Sequence, residues 1–335
     1  MSGEDFFQHV KMGPADPILG LNLACKADPN PDKINLTVGA YRDDDGLPHI
    51  FDSVKKAEEL ILEDPVKYNK EYAPITGYAP FVEAAQKLIF GEDCQALKDG
   101  RVCSTQTLSG TGSLTVAFNF LAEHCPAPVY VSDPTWGNHN AIVTRSGLPL
   151  RTYTYWDAEK RGINFEGMIK TIGEAPTGSI FLLHPCAHNP TGVDPTEEQW
   201  HGILKACKEK KHIVLFDSAY QGFATGDFER DAFSIRLFMK EGVNFLLCQS
   251  FAKNFGLYGE RVGCLHFVCG TSETAKKVES QVKIIIRCMY SSPPIHGAYI
   301  VDIIYRNKPL FEQMLIEIRM VSERIIDMRK ALYDE

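Results

Sequence analysis

Short β-rich runs that alternate with helical patterns constrain this chain more than any other feature. The runs 128–131, 179–183, 213–216, 245–248 and 262–268 carry the branched and aromatic residues that suit a buried, pleated surface. Between several of them lie apolar residues at helical spacing, for example over 196–210 after the turn Asn189-Pro190-Thr191-Gly192. Strands that alternate with helices are joined by crossovers, and crossovers make neighbouring strands parallel. The expected fold class is therefore α/β, a mostly parallel sheet with helices on both faces. Ligands in such sheets bind beyond the carboxyl ends of the strands. His184 and Asn189 follow one run, Asp217 the next, and Ser250 with Lys253 a third. Their clustering at strand ends is the first sign of a site.

The segment 249–263 sharpens that sign. It puts one lysine, Lys253, in a polar, glycine-rich turn after an apolar strand, with Ser250 and Arg261 close by. A hydroxyl, an amine and a guanidinium together suit a phosphorylated carbonyl cofactor: the amine forms an imine, while the hydroxyl and the arginine fork hold the phosphate. A lone lysine in a turn is otherwise an ordinary solvated charge, so the weight rests on its neighbours. Ser109-Gly110-Thr111-Gly112-Ser113 precedes a helical pattern in which Leu114, Ala117, Phe118 and Leu121 share a face. Free N–H groups at such a helix start attract an anion. A plain helix cap competes with that reading, and a dinucleotide fingerprint is disfavoured because Thr115 stands where its third glycine would be.

Composition excludes several classes. With 35 Lys+Arg against 43 Asp+Glu, the net charge is −8, and no basic block or aromatic stripe marks a nucleic-acid partner. No apolar run approaches the roughly 18 to 20 residues needed to cross a bilayer, so a soluble chain is expected. The ten cysteines are scattered without a close C-x-x-C pair, which fits reduced, buried thiols in an intracellular protein better than disulfides or zinc. His184 and His188 have an H-x-x-x-H spacing, but Pro185 and Pro190 oppose the helix that would align them, and no metal is expected. The acidic N-terminus has neither an apolar signal core nor an arginine-rich transit pattern. At the other end, Phe311, Met314, Leu315, Ile318, Val321, Ile325, Met328 and Leu332 form a long apolar stripe at helical spacing, read as core packing.

Trp136-Gly137-Asn138-His139, His188-Asn189-Pro190-Thr191-Gly192, Asp217-Ser218-Ala219-Tyr220 and Ser250-Phe251-Ala252-Lys253-Asn254, taken in order, resemble the aspartate aminotransferases, pyridoxal-phosphate enzymes of fold type I. The resemblance is continuous from about Val10, and the stretch 10–20 is similar to the mature start of the mitochondrial form. It implies that Lys253 forms the imine with pyridoxal 5'-phosphate and then moves the proton at the substrate's Cα. It further implies that Asp217, supported by His139, pairs with the pyridine nitrogen, that Tyr220 and Asn189 meet the ring hydroxyl, and that Trp136 lies against the ring. Ser109, Gly110, Thr111, Ser250 and Arg261 would hold the phosphate, with Tyr72 from the partner subunit of a homodimer. Arg287 would reach across that dimer to the distal carboxylate of a dicarboxylic substrate, and Gly39, with Trp136 and Asn189, would also face the substrate.

The implied reaction is reversible amino transfer between aspartate and 2-oxoglutarate, giving oxaloacetate and glutamate. Another fold-type-I aminotransferase, acting on aromatic amino acids or kynurenine, and a truncated non-catalytic relative are the alternatives. The resemblance places residues 1–45 in an N-terminal arm and part of a small domain, 46–310 in a large cofactor-binding domain, and 311–335 in a long helix leading back into an incomplete small α/β domain. Family chains continue past the position of Glu335 and supply there the arginine for the α-carboxylate, so the polypeptide as written is expected to bind cofactor weakly and to transaminate little. Thr115 replaces an arginine usual in the family, and Cys288 a proline. The resemblance favours the mitochondrial matrix, with the cytoplasm as the alternative.

Overall fold

The computed structural model describes residues 5–14, 17–37 and 39–335; the others, which include most of the acidic N-terminus, two positions of the stretch 10–20 and Val38 beside Gly39, lie outside the described residues. The chain forms two compact units, Met1–His49 and Ile50–Glu335. The first contains helix α1 (Pro17–Ala27) and a β-bridge between Arg42 and Pro48, and the second opens with helices α2 (Asp52–Glu63) and α3 (Ala79–Phe90).

The second unit is built on seven strands: β1 (Val102–Leu108), β2 (Val129–Asp133), β3 (Leu150–Thr154), β4 (Ile180–Leu183), β5 (Ile213–Ser218), β6 (Phe245–Ser250) and β7 (Val262–Val268). Their order across the sheet is β1-β7-β6-β5-β4-β2-β3. Neighbours from β3 to β6 are parallel, and β7 runs antiparallel to both β6 and β1. A two-stranded hairpin, Trp156–Asp157 with Gly162–Ile163, stands apart from this sheet.

Each strand's period of two divides its residues between two apolar layers. Ile180, Leu182, Leu215, Leu246 and Cys248 enter one layer. There they meet Leu114, Ala117 and Phe118 of α4 (Ser109–His124) and Val282 and Ile286 of a helix over Ser272–Met289. Phe181, Leu183, Val214, Phe216, Phe245 and Leu247 enter the other, against Met168, Trp200, Ile203 and Phe238. Both faces being covered, the central strands are apolar throughout rather than alternating.

Local signals set the helix ends. Over Glu197–Glu209, Thr196 accepts from the Gln199 N–H while Gln199 reaches back to the Thr196 N–H, and Glu197 and Glu198 lie in the first turn, where negative charge is favoured. The final helix, Lys308–Asp334, starts at Asn307, which accepts from Leu310. Its stripe buries Met314, Ile318 and Val321, whereas Met328 and Leu332 are exposed. From this helix the buried Glu317 carboxylate accepts the Asp52 N–H at 2.9 Å and the Ser53 hydroxyl at 2.5 Å. It thereby caps the helix Asp52–Glu63, whose own N-cap, Phe51, makes no side-chain hydrogen bond. Among the described residues no helix is long and apolar enough to cross a membrane, and all ten cysteines are free.

Candidate active site

The carboxyl ends of β4, β5 and β6 and the start of α4 open onto a cavity of about 210 Å³. Lys253 lines it, three residues beyond the end of β6, with Tyr220 and Tyr258 ring centres 5.9 and 5.3 Å from its Nζ. Burial pushes the Lys253 amine below its ordinary range; the Arg261 guanidinium adds to that shift and the Asp217 carboxylate opposes it. A lysine held this way more readily gives up its proton and becomes a nucleophile.

Asp217, on β5, presents a carboxylate to the cavity and is tied from behind. His139 Nε2 lies 2.8 Å from Asp217 Oδ2, and Thr135 Oγ1 lies 2.8 Å from His139 Nδ1. His139 is fully buried, and its ring meets Trp136 edge-on at 5.1 Å. The chain Thr135, His139, Asp217 fixes the carboxylate's direction. His184 Nδ1 accepts the Asn189 N–H at 3.2 Å, and burial, aided by His188 and His139, holds the His184 imidazole well below its ordinary pKa. Donor atoms of His139, His184 and Asp217 lie within 4.8 Å of one another, close enough to hold a metal ion. The hydrogen bonds just described already account for that arrangement. Asn189 Nδ2 and the Tyr220 hydroxyl stand 3.5 Å apart on the cavity wall. Burial, and then the Asp217 charge, raise the Tyr220 pKa.

The opposite end of the cavity suits an anion. Leu108, at the N-cap of α4, supplies no side-chain hydrogen bond, so the helix's first N–H groups remain for a ligand beside Ser109, Gly110 and Thr111. Ser109 and Ser250 hydroxyls lie 3.0 Å apart, and Arg261 brings a positive charge. Ser109 takes a left-handed φ of 60° to turn from strand into helix. Gly263 lets β7 pass beneath it: a Cβ there would lie 2.6 Å from the Ser109 carbonyl carbon.

Ten of the sequence-chosen residues thus share one cavity: Ser109, Gly110, Thr111, Trp136, Asn189, Asp217, Tyr220, Ser250, Lys253 and Arg261. His139 stands directly behind Asp217. Tyr72 and Arg287 are exposed and do not line the cavity. Gly39 is an exposed residue of the first unit, where a Cβ would meet nothing within 4 Å. Thr115, the departure from the family pattern, bonds the Thr111 carbonyl at 2.8 Å. Sequence reasoning gave no role to Thr135, although its spacing of four from His139 was a usable signal, nor to Tyr258.

A buried lysine at a strand end of a mostly parallel sheet, faced by a braced carboxylate and an anion seat, defines an α/β enzyme of the fold type I transferase class. Residues 31–335 match the family model for aminotransferase class I and II. The mitochondrial aspartate aminotransferase of Dictyostelium discoideum is 50% identical over 329 residues, 98% of this chain and 77% of that protein. Aspartate aminotransferase from the cytoplasm of Saccharomyces cerevisiae superposes with a TM-score of 0.95 at 45% identity, covering 98% of this chain and 82% of that one. Aromatic-amino-acid aminotransferase from Burkholderia pseudomallei, covalently bound to pyridoxal phosphate, does so with a TM-score of 0.94 at 39% identity and the same coverage. The chain belongs to the class I and II aminotransferases.

Proposed function

We propose that the protein is an aspartate aminotransferase that uses pyridoxal 5'-phosphate to move an amino group reversibly between L-aspartate and 2-oxoglutarate, giving oxaloacetate and L-glutamate. One observation carries this reading: Lys253 shares its cavity with a carboxylate braced by a buried histidine at one end and an uncapped helix start flanked by two hydroxyls at the other. That donor set fits the cofactor. Ser109, Gly110, Thr111, Ser250 and Arg261 would take its phosphate, Asp217 its ring nitrogen, and Asn189 with Tyr220 its ring hydroxyl. When bound, pyridoxal 5'-phosphate supplies a carbonyl that condenses with amines and a ring that accepts the electron pair left when Cα loses its proton.

The chain's own residues then have separate tasks. Lys253 Nζ, with its lowered pKa, takes the proton from Cα on one side of the exchange and returns it on the other. Asp217, held by His139, keeps a proton at the ring nitrogen. Trp136, on the cavity wall, would cover the ring and keep water away. Arg287 would fork to the distal carboxylate of aspartate or glutamate from a partner subunit, as Tyr72 would reach the phosphate, so the working form is a homodimer.

Steady-state rates test the substrate. With 2-oxoglutarate as acceptor, aspartate is expected to exceed phenylalanine in kcat/KM; equal or reversed preference would favour the aromatic-type alternative. Relatives include mitochondrial and cytoplasmic enzymes, and the mitochondrial reading is tested by fractionating cells that express the protein.

A further inference from the structure

Gln106 is fully buried on β1, three residues before Ser109, and every hydrogen-bonding group it has is engaged by segments far away in sequence. As β1 lies at the sheet edge, its outward N–H is free of strand pairing, and it donates to the Thr76 carbonyl at 2.9 Å. The side-chain Oε1 accepts the Tyr78 N–H at 3.0 Å, while Nε2 donates to the Pro294 carbonyl at 2.6 Å. The Tyr290 hydroxyl donates to the Gln106 carbonyl at 3.5 Å. Between Thr76 and Tyr78 the chain passes so close that a Cβ on Gly77, itself at φ +92°, would lie 2.1 Å from the Gln106 Cβ. One amide therefore joins two loops through their backbones, where no rotamer change can absorb an error.

Those two loops carry or adjoin the exposed site candidates. Tyr72 lies four residues before Thr76. Arg287 lies in the last turn of the helix Ser272–Met289, bonds Ser291, and precedes the loop that holds Tyr290 and Pro294. Tyr290 and Ile75, one from each loop, also pack against the same apolar layer.

We propose that Gln106 is a positioning residue that sets Tyr72 and Arg287 together, so that each subunit presents both to its neighbour's cavity in fixed register. The proposal rests on the shared-site reading above. It acts in trans: the site harmed by losing Gln106 is the one in the other subunit.

The test uses Gln106→Met, which keeps the volume and removes both side-chain bonds. As a homodimer it is expected to raise the KM for aspartate about tenfold, with kcat within about threefold, and to weaken binding of pyridoxal 5'-phosphate about tenfold by calorimetry. Gln106→Glu retains the acceptor for Tyr78 and loses the donor to Pro294. It should raise the KM while leaving cofactor affinity within about twofold.

Hybrid dimers decide the direction. A Lys253→Ala subunit paired with a Gln106→Met subunit has one live site, fed by loops with an intact Gln106, and should recover the unmodified KM. A subunit carrying both changes, paired with an unmodified one, should keep the raised KM. The opposite pattern, or a Gln106→Met homodimer with unaltered constants, overturns the proposal. An active unmodified protein that sediments as a monomer would instead remove the shared-site reading itself, and this proposal with it.

Discussion

The cavity residues and the pair Tyr72 and Arg287 differ in how the fold holds them. Asp217 and Ser250 end buried strands, His139 has no exposed surface, and Lys253 sits in a turn packed between Phe251 and Phe255. Tyr72 is 87% exposed, and Arg287 lies exposed in the last turn of a helix. Sheet interior fixes the first set within one chain. The second set is tied at its base, by Gln106 and by the packing of Ile75 and Tyr290, and needs a neighbour to give its side chains a purpose. Chemistry should therefore depend on the first region and recognition on the second.

The largest break in that comparison should come from Lys253→Ala, which removes the group that moves the Cα proton. Transamination is expected to fall by at least about 10⁴-fold, measured in single turnovers with aspartate. Asp217→Asn should follow, at roughly 10²- to 10³-fold in kcat, because a neutral amide no longer holds the proton at the ring nitrogen. The same substitution reports on Lys253. Asp217 raises the lysine pKa and Arg261 lowers it, so Asp217→Asn should shift the amine's titration further down and Arg261→Met should shift it up. The pH dependence of amine reaction with the cofactor reads both, and shifts of the same sign would sink the electrostatic account.

Recognition comes next. Arg287→Ala is expected to lower kcat/KM for aspartate about 100-fold and for phenylalanine less than about threefold; an equal loss for both would place Arg287 outside substrate choice. The effect on stability is absent at neutral pH and appears only on acidification. Burial depresses the pKa of His188 to about 3, with His139 contributing, and burial alone does the same for His266. Both stay neutral in the folded chain well below the 6.5 at which they take protons when unfolded. Their contribution is complete above about pH 6.5 and is lost as the pH falls from there toward 3. Urea midpoints should drop across that window, and less steeply in His266→Gln.

Much of the fold could be read from the sequence because the central strands are buried on both faces and so are apolar throughout. The runs at 179–183, 213–216 and 262–268 cover β4, most of β5 and β7. β1 escaped that reading, since Ser104, Thr105, Gln106 and Thr107 look like a loop until their partners are known. Thr107 bonds Ser113 at 2.5 Å and Ser104 bonds His266 at 2.7 Å, contacts that make a polar strand stable in the interior. The reversed direction of β7 was also hidden, although the segment 251–261 has no crossover helix and so could not return a parallel strand. At the site, residues next to a strand end were legible. Thr135 and Tyr258 act on near neighbours in sequence, His139 and Lys253, whereas Gln106 acts only through contacts across the fold, and no local pattern announces it.

The most direct measurement is to add pyridoxal 5'-phosphate to the protein, reduce with borohydride and map the modified peptide by mass spectrometry. A single pyridoxyl group on Lys253, absent from Lys253→Ala, is the predicted result. Modification spread over surface lysines, or undiminished in Lys253→Ala, would contradict the account.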